Sequence, residues 1–121
     1  MNKILIIDDE PATVEMLSVF LNLNGYEGVG AYNGSDGLVL LEAERPDMLI
    51  VDLMMPDIEG FDVCLQVRQK PTFAHTPILI ISARTDQDSI RRAYACGANG
   101  YLTKPIKNLG DLLGEIQRLM G

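Results

Sequence analysis

Five short apolar runs rich in Ile and Val alternate with stretches of helical period along this chain, and no low-complexity linker separates them. That alternation constrains the fold most, because a strand followed by a crossover helix rejoins its sheet as a parallel strand. The predicted strands are Lys3 to Ile7, Tyr26 to Ala31, Met48 to Val51, Ile78 to Ile81 and Gly100 to Leu102. Three of them are almost wholly apolar, as strands covered by helices on both faces should be.

The intervening segments carry helix signals. Pro11 sits in the first turn of a segment that places Val14, Leu17, Phe20 and Leu21 on one face and ends at Asn24-Gly25. A second helix is expected from Ser35 to Glu44, stopping before Pro46, and a third from Phe61 to Lys70, stopping before Pro71. The fourth begins near Asp86 or Asp88 and ends at Cys96-Gly97, with Arg91 and Arg92 following its acidic start as the helix dipole favours. Leu109, Leu112, Leu113, Ile116 and Met120 form the stripe of a fifth. Five such units make a doubly wound α/β domain.

At 121 residues the chain is expected to be one domain, residues 1–121, large enough to fold without disulfides or structural metals. Its longest apolar runs, Ile4 to Ile7 and Ile78 to Ile81, are far too short to span a bilayer or form a secretory signal, so the expected location is cytoplasmic, with no membrane partner. Ten Lys and Arg against seventeen Asp and Glu give a net charge of −7, which argues against direct nucleic-acid binding. The charge is also lopsided: residues 1–62 hold thirteen acids and two bases, and residues 63–121 hold four acids and eight bases. Cys64 and Cys96 lie in apolar periodic stretches without metal-ligand spacing and are expected to be core residues.

A dinucleotide fingerprint would follow the first strand, where this chain instead has Asp8-Asp9-Glu10. In open parallel sheets, ligands lie beyond the carboxyl ends of the strands. The residues there are Asp8, Asp9 and Glu10 after the first strand, Asp52 after the third, Ser82 after the fourth, and Thr103, Lys104 and Pro105 after the fifth. Two carboxylates about 5 Å apart repel by roughly 3 kcal/mol at an effective dielectric near 20. Such a cluster calls for a cation, and all-oxygen ligation selects Mg²⁺ or a similar hard ion.

These residues carry a resemblance over the full length of the chain. Ile7-Asp8-Asp9-Glu10, Asp52-Leu53-Met54-Met55-Pro56 with Gly60, Ser82-Ala83 and Tyr101-Leu102-Thr103-Lys104-Pro105 occur in the order and spacing of the receiver domain of two-component response regulators, which the chain resembles. The resemblance implies a flavodoxin-like fold, with a five-stranded parallel sheet in the order 2-1-3-4-5. It also implies that Asp52 is the phosphoacceptor and that Asp8 and Asp9 bind Mg²⁺ together with Asp52 and the Met54 main-chain carbonyl, Glu10 being a further contributor. Lys104 would pair with Asp52 or the phosphoryl oxygens, and Ser82 would donate its hydroxyl to the phosphoryl group. Tyr101 would move with Ser82 as a switch, and Pro105 would follow Lys104 through a cis peptide.

The implied donor is a phosphohistidine on a sensor histidine kinase or phosphotransfer protein. The implied output is an attached domain or an effector, reached through the fourth helix, fifth strand and fifth helix, where Arg91, Arg92, Tyr94 and Lys107 fall. A homodimer is compatible with this, although Gly97-Ala98-Asn99-Gly100 lacks the paired acids that many DNA-binding members carry before the Tyr. Two other readings compete. A Mg²⁺-dependent aspartyl-phosphate hydrolase of haloacid dehalogenase type would want an acid at Met54 and a cap. A receiver-like binding module that takes no phosphate would not need Asp52, Ser82 and Lys104 together. His75, in a loop before Thr76-Pro77, is expected to be a surface side chain and not a phosphodonor.

Overall fold

The computed structural model describes residues 2–120. Five strands, β1 (Asn2–Ile7), β2 (Tyr26–Ala31), β3 (Met48–Asp52), β4 (Ile78–Ser82) and β5 (Gly100–Thr103), alternate with five helices, α1 (Pro11–Leu23), α2 (Gly34–Glu44), α3 (Gly60–Gln69), α4 (Gln87–Ala95) and α5 (Leu109–Met120). All neighbouring strands pair in parallel, in the order β2-β1-β3-β4-β5. The three nearly all-apolar strands are the central ones. Every residue of β3 and β4 is buried, as are Ile4 to Ile7 of β1. Burying each such Ile or Leu contributes about 1.5–3 kcal/mol.

Alternation of side chains across the sheet divides this apolar set into two cores. Leu5, Ile7, Leu49, Val51, Ile78 and Ile80 meet one helical layer, and Val63, Cys64, Val67 and Cys96 belong to that cluster. Ile4, Ile6, Ile50, Leu79 and Ile81 meet the other, with Leu17 and Leu21 of α1 and Leu112 and Ile116 of α5. Both cysteines are free and buried, and burial pushes the Cys64 thiol up to about 12.

The helix ends show the expected local chemistry. Asn33 caps α2 by accepting from the Asp36 N–H, Asp86 caps α4 by accepting from Ser89, and α1 starts with Pro11. Three features differ from the sequence reading. A single 3₁₀ turn at Pro71–Phe73 follows α3 and buries Phe73. Phe20 and Leu113 are half-buried and Leu109 is exposed, because each helix presents a wider apolar stripe than the line of contact it makes with the sheet. Asp52, Ser82 and Thr103 are the last residues of their strands and not the first loop residues, so the sheet ladder holds their main chains.

Candidate functional site

The carboxyl ends of β1, β3 and β5 bring four charged groups together. Asp8 and Asp52 come from adjacent strands and are buried, at 0% and 5% relative exposure. Lys104 follows β5 and reaches back across the sheet edge. Its Nζ lies 2.7 Å from Asp8 Oδ2, 2.9 Å from Glu10 Oε1 and 3.1 Å from Asp52 Oδ2. Main-chain amides hold the two aspartates from the other side: Glu10 N–H donates to Asp8 Oδ1 (3.0 Å) and Met54 N–H to Asp52 Oδ1 (3.2 Å).

Glu10 stands at the N-cap position of α1, yet its side chain makes no cap bond. It turns to Lys104 instead, a local helix preference given up to a long-range charge pair. The hydrogen bond from Lys104, and then its charge, hold the Glu10 carboxyl below its ordinary range. Burial, reinforced by the negative charge of Asp8, raises the Asp52 pKa, with Lys104 opposing. Burial pushes the Lys104 ammonium down, but its close contacts with Asp8 and Glu10 and the charges of Asp52 and Asp8 outweigh it, so its pKa is raised.

Asp8, Glu10 and Asp52 each offer an oxygen within 4.8 Å of the others. Asp8 Oδ2 is fully buried and touches Lys104, but no hydrogen bond aligns on it. A buried carboxylate oxygen without a directed donor is costly. This trio of hard oxygens with an open lone pair fits a divalent cation such as Mg²⁺. Asp9, the other member of the expected acidic pair, is exposed and lies outside the trio. Glu10 takes a larger part than its sequence position suggested, because only the fold shows where its side chain goes. Met54 follows two residues after Asp52 and is exposed.

Ser82 is fully buried, and its Oγ accepts from the Arg84 N–H at 3.1 Å. The next strand is tied to it: the Lys104 N–H donates to the Ser82 carbonyl at 2.8 Å. Tyr101 is half-buried, and its hydroxyl donates to the Arg84 carbonyl at 2.7 Å. Serine, tyrosine and the loop after β4 thus form one connected unit beside the acidic cluster. The Lys104–Pro105 peptide is cis. His75 is exposed, in the loop before β4.

One residue in this region escaped the sequence reading. Asp57, in the loop after Asp52, accepts from the Gly34 N–H (3.0 Å) and the Ser35 N–H (2.8 Å) at the start of α2. Pro56-Asp57 reads only as a turn, and nothing in the sequence connects it to a helix more than twenty residues earlier.

Residues 4–117 match the response regulator receiver domain family. The chain is 36% identical over 121 residues to the DNA-binding dual master transcriptional regulator RpaA of Synechocystis, covering 99% of this chain and 49% of that protein. It is 36% identical over 103 residues to the alkaline phosphatase synthesis transcriptional regulatory protein PhoP of Bacillus subtilis, covering 85% of this chain and 42% of that protein. It therefore spans about half the length of these curated relatives. Among solved structures it resembles the Vibrio cholerae chemotaxis protein CheY4 (TM-score 0.93, 34% identity, 98% of each chain). It also resembles the Thermotoga maritima response regulator TrrA in complex with Mg²⁺ and BeF (TM-score 0.87, 31% identity, 98% of this chain and 99% of that one). With the 2-1-3-4-5 parallel sheet, the strand-end acids and this similarity along nearly its whole length, the chain belongs to the response regulator receiver domains of two-component signalling.

Proposed function

We propose that residues 1–121 form a single phosphoacceptor unit in which Asp52 takes a phosphoryl group from a phosphohistidine donor. One oxygen of the Asp52 carboxylate attacks phosphorus, an acyl phosphate bond forms, the P–N bond to the donor imidazole breaks, and the imidazole leaves with the bonding electron pair. Such a transfer needs an in-line nucleophile and charge stabilisation more than covalent activation. The observation that carries this reading is the position of Lys104 Nζ, within 3.1 Å of carboxylate oxygens from both Asp8 and Asp52.

A divalent cation, when bound, neutralises charge on the phosphoryl oxygens. Asp8, Asp52 and Glu10 are the side chains that would hold it, joined by the Met54 main-chain carbonyl, with Asp9 able to join by rotating in from its exposed position. Lys104 opposes the rise in the Asp52 pKa that burial and Asp8 cause, and remains as a second positive charge on the phosphoryl group. Ser82 donates its hydroxyl to that group, drawing the loop after β4 inward and changing the bond between Tyr101 and Arg84. The signal then leaves through α4, β5 and α5, toward an output domain or effector, with the donor being a sensor histidine kinase or phosphotransfer protein. The domain assists its own phosphorylation and dephosphorylation and turns over no other substrate.

Incubation with acetyl phosphate and Mg²⁺, followed by intact-mass measurement, tests the reading. The wild type should gain one hydroxylamine-sensitive phosphoryl group, and Asp52→Asn should gain none while keeping its circular dichroism spectrum. Labelling of Asp52→Asn at wild-type extent would place the acceptor elsewhere.

A further inference from the structure

The loop between Asp52 and α3 is anchored at three points. At its base the Gly60 N–H donates to the Leu53 carbonyl (2.9 Å), and a side chain at Gly60 would run into the Asp52 carbonyl. In its middle, Leu53 and Met55 are buried, leaving Met54 between them exposed and bonded through its N–H to Asp52 Oδ1. At its tip, Asp57 spans to the start of α2, one oxygen on the Gly34 N–H and the other on the Ser35 N–H.

The third anchor is more than a helix cap. Asn33 already serves α2 as its own N-cap, taking the Asp36 N–H at 2.8 Å. The two preceding amides are left free by helix geometry. They are taken by a carboxylate from another element, at the end of the helix whose dipole favours an anion. Close approach is built in on both sides: a Cβ at Gly34 would stand 2.9 Å from Ile58 Cβ. The Ser35 amide first, and then the Gly34 amide, hold the Asp57 carboxyl far below the usual carboxylate range against the opposing effect of burial, so the bridge is charged at neutral pH.

We infer that Asp57 is a positioning residue for the cation site: by bridging the loop after Asp52 to the amino end of α2, it holds the Met54 main chain beside the Asp52 carboxylate. The inference rests on the proposed function, since it concerns affinity for the cation that function requires. Metal affinity at the end of β3 thus depends on a contact made at α2, and the Gly34 and Ser35 amides sense the site without touching it. Groups that orient a metal's ligands typically change affinity by 10- to 100-fold when removed, and a main-chain ligand that keeps two of its three anchors belongs near the lower end, at about tenfold.

Magnesium titration of the ¹⁵N-labelled protein, followed by amide shifts, tests this with three chains. In the wild type, the Gly34 and Ser35 amides should shift on the same binding curve as Met54. In Asp57→Ala, the Mg²⁺ dissociation constant should rise about tenfold, Gly34 and Ser35 should cease to follow the metal, and amides 53–59 should exchange faster with solvent. Asn33→Ala removes a cap from the same helix without touching the loop, and its Mg²⁺ affinity should stay within twofold of wild type. A normal wild-type response with unchanged affinity in Asp57→Ala overturns this inference alone, as does equal weakening in Asn33→Ala. The absence of any magnesium response in the wild type overturns the functional reading and this inference with it.

Discussion

Lys104 Nζ lies 2.7 Å from Asp8 Oδ2 while Asp8 is wholly buried, so a lysine just past the last strand neutralises an acid just past the first. The same ammonium contacts Glu10 and Asp52, and the site therefore carries its own cation. A metal entering among these oxygens competes with Lys104 for them.

Replacing Lys104 with Met should expose that competition. Removing one partner of a buried ion pair leaves an uncompensated charge, and urea unfolding without metal should show a loss of roughly 3 kcal/mol. Saturating Mg²⁺ should recover much of the loss, because the ion replaces the missing charge. An identical loss with and without Mg²⁺ would separate the lysine from the cation site.

Asp52→Asn should stabilise the metal-free protein near neutral pH. Burial and Asp8 raise the Asp52 pKa in the folded state above its ordinary value, so the folded chain binds this proton more tightly than the unfolded chain. Stability from this group is gained as pH falls through the folded pKa, and its ionised form is a cost above it. The advantage of the Asn variant, measured by thermal unfolding, should shrink as pH drops toward the unfolded value of about 3.9. An advantage that is constant with pH would refute the assignment.

Asp57 should give the opposite slope. Its folded pKa is depressed below the ordinary carboxylate range, so its contribution is fully present above that range and is lost as pH falls through the folded pKa. Wild type should therefore outlast Asp57→Asn in thermal unfolding at pH 5 to 7, and the gap should close only in strong acid.

Tyr101→Phe removes the hydroxyl that donates to the Arg84 carbonyl and leaves the half-buried ring in place. The cost should be about 0.5–1.5 kcal/mol, the net value of one neutral hydrogen bond. Amide exchange in 83–86 should accelerate, while the rest of the sheet keeps its protection. Unchanged exchange there would mean that the hydroxyl does not hold this loop.

Arg68 supplies a control remote from the acids. Its guanidinium donates to the carbonyls of Gly97, Phe73 and Thr76 and to Asn99 Oδ1, joining α3 to the loops before β4 and β5. Arg68→Met should cost roughly 3 kcal/mol in urea unfolding by leaving several acceptors without their charged donor. Mg²⁺ affinity should not move. A marked drop in affinity would show that the two ends of the sheet are coupled.

Strand and helix periods are local, and the sequence by itself determined the five strand–helix units, the apolar strands of the sheet interior and most helix ends. The strand-end motifs, through their resemblance to receiver domains, pointed to the sheet order and to Asp8, Asp9, Asp52, Ser82, Tyr101 and Lys104. Tertiary structure alone decided which acid faces Lys104. Asp8, Asp9 and Glu10 are adjacent in the chain, but strand pleat and the start of α1 send Asp8 inward, leave Asp9 exposed and return Glu10 across the sheet edge to a lysine 94 residues away. The bridge from Asp57 to α2 was likewise invisible, because hydrogen bonds between a side chain and distant main-chain amides leave no periodic trace in sequence. They exist only after α2 and α3 have packed side by side on one face of the sheet and set the distance between the loop and the helix.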